Sequence, residues 1–252
     1  MHVSANPPEL KVIFLDIDDT LFGTSDFVVE ARTKAVEAMI ARGLKAEVPE
    51  VLQELAEVVA EFGSNDDHHY NRLMKRLPES ATAGANHDLL VVAGVIAYHN
   101  AKWKKLKIRP EAEALLRDLA ATDLRLGVIS AGLVHKQMEK LLRLGVDRFI
   151  DHKLLFITHE VGIAKSNPRL YTRCAEVAGV PTDQVMHVGD HPYHDVDPAN
   201  AAGFRTVWIR GTGKHSKNLP KTEPNHILDD FVALRGLLDE EYGIPLERRN
   251  RG

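Results

Sequence analysis

A single cysteine, Cys174, in a chain of 252 residues leaves no internal disulfide to form. It lies in a helix-like stretch between Arg173 and Ala175 and reads as a buried small hydrophobe, not a nucleophile. The simplest compartment for such a chain is the cytoplasm. No apolar run approaches the length that spans a bilayer. The opening MHVSANPPEL has none of the apolar core of a signal peptide. Neither sign of charge dominates: the net charge is −4 with histidine neutral, so there is no global attraction to nucleic acid or to an anionic membrane. Internal repeats and low-complexity tracts are missing as well. What remains is the make-up of a soluble globular protein, 44% hydrophobic and 27% charged, long enough for a core domain plus a smaller one.

The most informative stretch is Lys11–Leu21, KVIFLDIDDTL. The run Val12-Ile13-Phe14-Leu15 reads as a buried strand. It delivers Asp16 and Asp18, then Asp19 and Thr20. Carboxylates at the end of a buried strand are costly unless a cation meets them, and the C-terminal ends of parallel strands are where ligands bind in an open α/β sheet.

Further strands are expected at Arg125–Ser130, Lys153–Ile157, Gln184–Val188 and Thr206–Ile209. Between them lie helices from Pro110, over His135–Arg143, over Pro168–Ala178, over Asp195–Ala202 and over Asp230–Tyr242. This alternation predicts an α/β fold, a Rossmann-like parallel sheet covered on both faces. From Phe22 to about Lys107 the text changes to Ala, Glu, Leu and Val at helical spacing, an inserted all-helical domain of about 85 residues. The expected organisation is a core from 10–21 and 108–243, a helical cap from 22–107, and loose ends at 1–9 and 244–252.

Three later segments repeat the design of the first. The strand VIS ends in Ser130, HVGD ends in Asp190 with Asp195 five residues on, and Lys165 in GIAKSNP precedes a helix. Parallel strands bring these ends to one edge of the sheet. Asp16, Asp18 and Asp190 offer hard oxygen ligands suited to Mg²⁺. Lys165 and Ser130 offer donors to phosphate oxygens. Three carboxylates beside one lysine are too anionic to attract a phosphate unaided, so metal and phosphate are implied together. In that setting a carboxylate can attack phosphorus. A second one, two residues on in extended chain, points to the same side. It can protonate the leaving alcohol and later take a proton from water.

These residues resemble the haloacid dehalogenase superfamily, in particular its subfamily I Mg²⁺-dependent phosphatases with a helical cap after the first strand. Its motifs appear in order as Asp16-Ile17-Asp18-Asp19-Thr20, Ser130, Lys165 and Gly189-Asp190-His191-Pro192-Tyr193-His194-Asp195. The resemblance implies that Asp16 is the nucleophile, forming an aspartyl-phosphate, and that Asp18 is the general acid–base with its backbone carbonyl on the metal. It implies that Ser130, Lys165 and main-chain amides around Ile17, Asp18, Ala131 and Gly132 hold the phosphoryl group. Asp16, Asp18, Asp190 and Asp195 form the metal site, with Asp195 at the metal or one shell out. FGSN, GVIAYHNAK and VWIRGTGKHS resemble, more narrowly, an archaeal group of small-molecule phosphatases. That likeness brings forward glyceraldehyde 3-phosphate or a phosphoglycolate-like compound as substrate, with a monomer or homodimer as the acting form. Two departures stand out: Ser166 follows the motif lysine where many relatives have proline, and Val196-Asp197-Pro198-Ala199 follows Asp195 in place of a small residue and Gly-Ala. Asp197 reads as a helix N-cap with Pro198 at the first helical position. A phosphotransferase or mutase, and a non-catalytic phosphate-binding regulator, are the alternative functions.

His187, His191 and His194 cluster around Asp190, but their spacing is no zinc signature, and His187 lies within a strand. Asp66-Asp67-His68-His69-Tyr70 is either a solvated loop or a substrate-recognition patch, and Tyr98, His99 and Asn100 pose the same question. Trp103 and Trp208 read as packing residues. Lys214-His215-Ser216 reads as a surface loop within reach of an anion.

Overall fold

The computed structural model describes residues 9–210, 215 and 217–246. The chain divides into two compact units, one running to Gly23 and resuming at Lys107, the other Thr24–Leu106. The strands are β1 (Val12–Leu15), β2 (Arg125–Ser130), β3 (Leu155–Ile157), β4 (Val185–Gly189), β5 (Arg205–Ile209) and β6 (His226–Leu228). The helices of the second unit are α1 (Ser25–Ile40), α2 (Val48–Phe62), α3 (His69–Arg76), the single turn α4 (Glu79–Thr82) and α5 (His87–Lys105). Those of the first are α6 (Pro110–Leu119), α7 (Val134–Leu144), the turn α8 (Thr158–Val161), α9 (Pro168–Ala178), α10 (Asp197–Ala201) and α11 (Phe231–Glu240).

The six strands form one parallel sheet in the order β3-β2-β1-β4-β5-β6. β1, the strand with the Asp16 edge, is therefore central. Leu15 pairs with Val128 on one side and Val188 on the other. All four residues of β1 are buried, as a strand covered on both faces requires. Below the edge, Phe14 meets Phe156 edge-on at 5.7 Å between ring centroids and stacks with Phe204 at 6.3 Å, inside a core that includes Tyr171, Leu170 and Cys174. Cys174 is the small buried hydrophobe expected, and burial pushes its thiol well above the usual range. α9 starts where the sequence marks it: the Asn167 side chain accepts from the Arg169 amide at 3.0 Å with Pro168 in the first turn, and Gly179 at φ +69° closes the helix.

Four expectations about this unit need correction. A sixth strand, β6, was not foreseen; three residues at a sheet edge, only partly buried, carry no period to detect. The helix expected over Asp195–Ala202 is a π-helical turn, Pro192–Val196, followed by α10. Asp197 is the first residue of α10 and not its N-cap. Its Oδ1 accepts instead from the amides of Lys221 (2.8 Å) and Thr222 (2.9 Å), pinning the loop before β6. The packed chain also continues past 243, because Ile244 and Leu246 are buried; residues 1–8 and 247–252 lie outside the described part.

The second unit is all helix. Its core joins Ala35, Val36 and Met39 of α1, Val51 and Leu55 of α2, Leu73 of α3, and Leu90 and Val91 of α5. α1 and α5 pack closely because Gly94 adds no side chain; a Cβ there would stand 3.0 Å from Met39 Sδ. Asn86 caps α5 by accepting from the Leu89 amide at 3.0 Å. Asp66, in the polar turn before α3, accepts from Arg72 Nε at 2.8 Å. The Trp103 ring stacks on His99, 6.1 Å between centroids. Among the described residues, no helix is long and apolar enough to cross a membrane.

Candidate active site

The register carries the functional side chains to one edge. Asp16 is the residue after β1, Ser130 closes β2, and Gly189-Asp190 closes β4 beside it. Asp16, Ser130, Lys165, Asp190 and Asp195 are all buried. Lys165, from the loop ahead of α9, donates to Asp16 and lies 2.5 Å from Asp195 Oδ1. The Thr20 hydroxyl sits 3.2 Å from Asp16 Oδ2 and 3.3 Å from Asp190 Oδ1, bridging the two carboxylates. Trp208 is more than packing: its Nε1 donates to the Asp190 carbonyl at 2.8 Å and fixes the backbone there.

Asp195 projects from the π-helical turn, a distortion common at functional positions. Both of its oxygens are engaged. Oδ1 accepts from Lys165 and from His187 Nε2 at 2.9 Å, and Oδ2 accepts from the His191 amide at 2.9 Å. His187 is buried in β4 as a partner of Asp195. Burial pulls its pKa down against the carboxylate's influence, which keeps the ring neutral.

The electrostatics follow from one cation facing several anions. Burial lifts Asp16 to about 7 although Lys165 opposes it, with Asp195 and Asp18 adding to the rise. Burial and the Asp16 and Asp195 charges push Asp190 up to about 9. Asp195 goes the other way: burial would raise it, but Lys165 and His187 hold it well below the usual range. Burial would likewise depress Lys165, and the two aspartates outweigh it, so the ammonium stays charged. Ligand oxygens of Asp16, Asp190 and Asp195 lie within 4.8 Å of one another, the one such group among the described residues. Buried, all-oxygen and short of positive charge, this arrangement fits a hard divalent cation.

Asp18 stands apart from that trio. Its carboxylate is held by α7, with Lys140 Nζ at 2.7 and 2.6 Å and Gln137 Nε2 at 3.2 Å. Its side chain is not among the three whose oxygens gather there. Ala131 follows Ser130 with its carbonyl accepting from Gln137 at 2.8 Å, and the Gly132 amide donates to Thr158 Oγ1 at 3.1 Å, which removes Gly132 from the free amides expected there. Gln137 and Lys140 were missed in the sequence. The signal was present: two polar residues three apart on the face of α7 that also buries Leu141 and Leu144. His191 stacks on His194 at 4.1 Å and lies 4.0 Å from His215, and burial and these neighbours lower it to about 4. Lys214 and Ser216 lie outside the described residues.

The family model for haloacid dehalogenase-like hydrolases matches residues 10–203, which span β1 to α10 and include Asp16, Asp18, Ser130, Lys165, Asp190 and Asp195. The chain belongs to the haloacid dehalogenase-like hydrolase family. It is 38% identical over 233 residues to the glyceraldehyde 3-phosphate phosphatase of Methanopyrus kandleri, covering 91% of this chain and 96% of that one. It is 34% identical over 245 residues to the enzyme of that name from Pyrococcus furiosus, covering 96% and 99%. Among solved structures it resembles a HAD phosphatase from Thermococcus onnurineus, TM-score 0.64 at 22% identity, over 92% of this chain and all of that one. A 2-haloacid dehalogenase from Pseudomonas syringae shares the fold with TM-score 0.59 at 23% identity, over 91% and 98%. Within this haloacid dehalogenase-like hydrolase the helical unit Thr24–Leu106 is inserted between β1 and β2.

Proposed function

We propose that this protein is a Mg²⁺-dependent phosphatase acting on a small phosphomonoester, with glyceraldehyde 3-phosphate as the foremost substrate and a phosphoglycolate-like compound next. The observation that carries this reading is the buried cluster of Asp16, Asp190 and Asp195 around a single lysine. Mg²⁺ would be held by Asp16, Asp190 and the Asp18 main chain, and when bound it neutralises phosphoryl charge. Lys165 and Ser130 bind the phosphoryl oxygens with the Ala131 amide. An Asp16 oxygen attacks phosphorus, the ester P–O bond breaks, and Asp18 as the acid protonates the leaving alkoxide. Asp18 then takes a proton from water, whose oxygen displaces Asp16 from phosphorus and releases inorganic phosphate. Asp195 holds Lys165 in place. The unit Thr24–Leu106 is assigned the part of a cap that selects the leaving group. The lone buried cysteine suits a cytoplasmic setting.

The names of the two archaeal relatives support this substrate, and the complete set Asp16, Asp18, Lys165 and Asp190 favours catalysis over a binding role. The test is phosphate release from glyceraldehyde 3-phosphate, phosphoglycolate and p-nitrophenyl phosphate, with Mg²⁺ and with EDTA. Release that EDTA abolishes is expected, with Asp16→Asn folded and at least about 10³-fold slower. Metal-independent release, or normal turnover by Asp16→Asn, overturns the mechanism.

A further inference from the structure

We infer that Gln137 and Lys140 are positioning residues for Asp18, set on α7 to aim its carboxylate; the inference rests on the reading of Asp18 as general acid–base. Asp18 lies beyond the end of β1, bridged through its main chain to Phe22, and the next residue, Asp19, has φ +61°. α7 holds the Asp18 side chain. Lys140 Nζ reaches both Asp18 oxygens at 2.7 and 2.6 Å, and Gln137 Nε2 reaches Oδ2 at 3.2 Å. The same Gln137 nitrogen donates to the Ala131 carbonyl at 2.8 Å. One amide thereby joins the loop after β1, which carries the acid–base, to the loop after β2, which follows Ser130.

Burial shows that this contact is built into the fold. Gln137 is 3% exposed and Lys140 9%. Lysine is rarely so buried without a partner, and here the partner is the half-buried Asp18 carboxylate. Room for the amide has been made on the neighbouring loop: a Cβ on Gly132 would stand 2.8 Å from Gln137 Nε2. Nothing in the chemistry proposed above uses either side chain directly. Their nearest chemical consequence runs through Asp18.

Proton transfer demands a donor within hydrogen-bond reach of the leaving oxygen, so loosening Asp18 harms the substrates that need the proton. An alkyl phosphate releases a strongly basic alkoxide and needs it. p-Nitrophenyl phosphate releases a stable phenolate and does not. The experiment compares kcat/KM for glycerol 3-phosphate and p-nitrophenyl phosphate, which reports the step that breaks the ester bond. Lys140→Met and Gln137→Leu are expected to lose about 10- to 100-fold on the alkyl ester and less than about threefold on the aryl ester. Equal losses on both substrates, or no loss on either, would overturn the inference. Gln137→Leu leaves the ion pair in place and carries the test should Lys140→Met not fold. Asp18→Asn separates the two claims: it should discriminate more deeply still, and if it treats both esters alike, the acid–base reading of Asp18 fails whatever the α7 variants do.

Discussion

In the helical unit the charged side chains pair near the surface. Arg76 reaches Glu54 at 3.2 Å and Arg72 reaches Asp66 at 2.8 Å, both half-buried, and Lys105 reaches Glu30 at 3.2 Å in the open. Its interior is apolar, and of the buried polar side chains among the described residues only Thr82 belongs to it. In the sheet unit Asp16, Lys165, His187, Asp190 and Asp195 are buried together at the end of the central strands. Water-exposed pairs contribute little and tolerate change. Buried ones are expensive and lean on each other. One unit is held by periodic apolar packing with its charge pairs outside the core; the other holds, at the end of its most buried strands, a charged cluster that stability by itself would not select.

Substitutions on the two sides of this contrast should therefore differ in size. Lys165→Met removes the one cation of the buried cluster and leaves Asp16 and Asp195 uncompensated. It is expected to lower unfolding free energy by about 3–5 kcal/mol, partly recovered when Mg²⁺ binds the folded state. Urea denaturation with and without Mg²⁺ measures this, and unchanged stability in EDTA would show that the cluster is not ionised as described.

A smaller effect is a pH slope. In the folded protein Asp190 titrates at about 9 and Asp16 at about 7, against an ordinary 3.8. Between roughly pH 4 and 9 these two carboxyls hold protons that the unfolded chain has lost, while His187 and His191, both lowered in the native state, act the opposite way up to about pH 6.5, so the metal-free protein should lose stability as pH rises from about 7 to 9. Asp195, shifted downward, acts only below it. Mg²⁺ competes for the same oxygens and should flatten the slope. Denaturation curves at pH 7, 8 and 9 in EDTA decide it, and stability that rises with pH over that range contradicts the assignment. At the small end, Lys105→Gln removes an exposed pair of the helical unit and should stay within about 0.5 kcal/mol of the parent. A loss of several kcal/mol there would erase the contrast between the units.

The same contrast explains what could be read in advance. β1, β2 and β4 are short apolar runs that end in Asp16, Ser130 and Asp190, and a buried strand that stops at a charge is visible without coordinates. The helical unit was legible from period alone. Side chains that act through other side chains were harder: Lys140 and Gln137 share the buried face of α7 with Leu141 and Leu144, but the spacing alone does not name Asp18 as what that face meets. The π-helical turn was equally silent, because it depends on Asp195 folding back to accept from the His191 amide and His187. Asp197 was misread for the same reason, its partners lying at Lys221 and Thr222, more than twenty residues on.

Gly189 ends β4 where a Cβ would fall 2.3 Å from Asp195 Cγ and 2.5 Å from Asp195 Oδ2. Its φ is not in the left-handed region, so space alone demands the glycine. A single methyl group at 189 would have to displace the carboxylate that holds Lys165, and through Lys165 the setting of Asp16. Positions 189 and 195 are thus coupled: a side chain at 189 needs the carboxylate at 195 to shrink or move with it, so a residue that contributes no functional group constrains one that does.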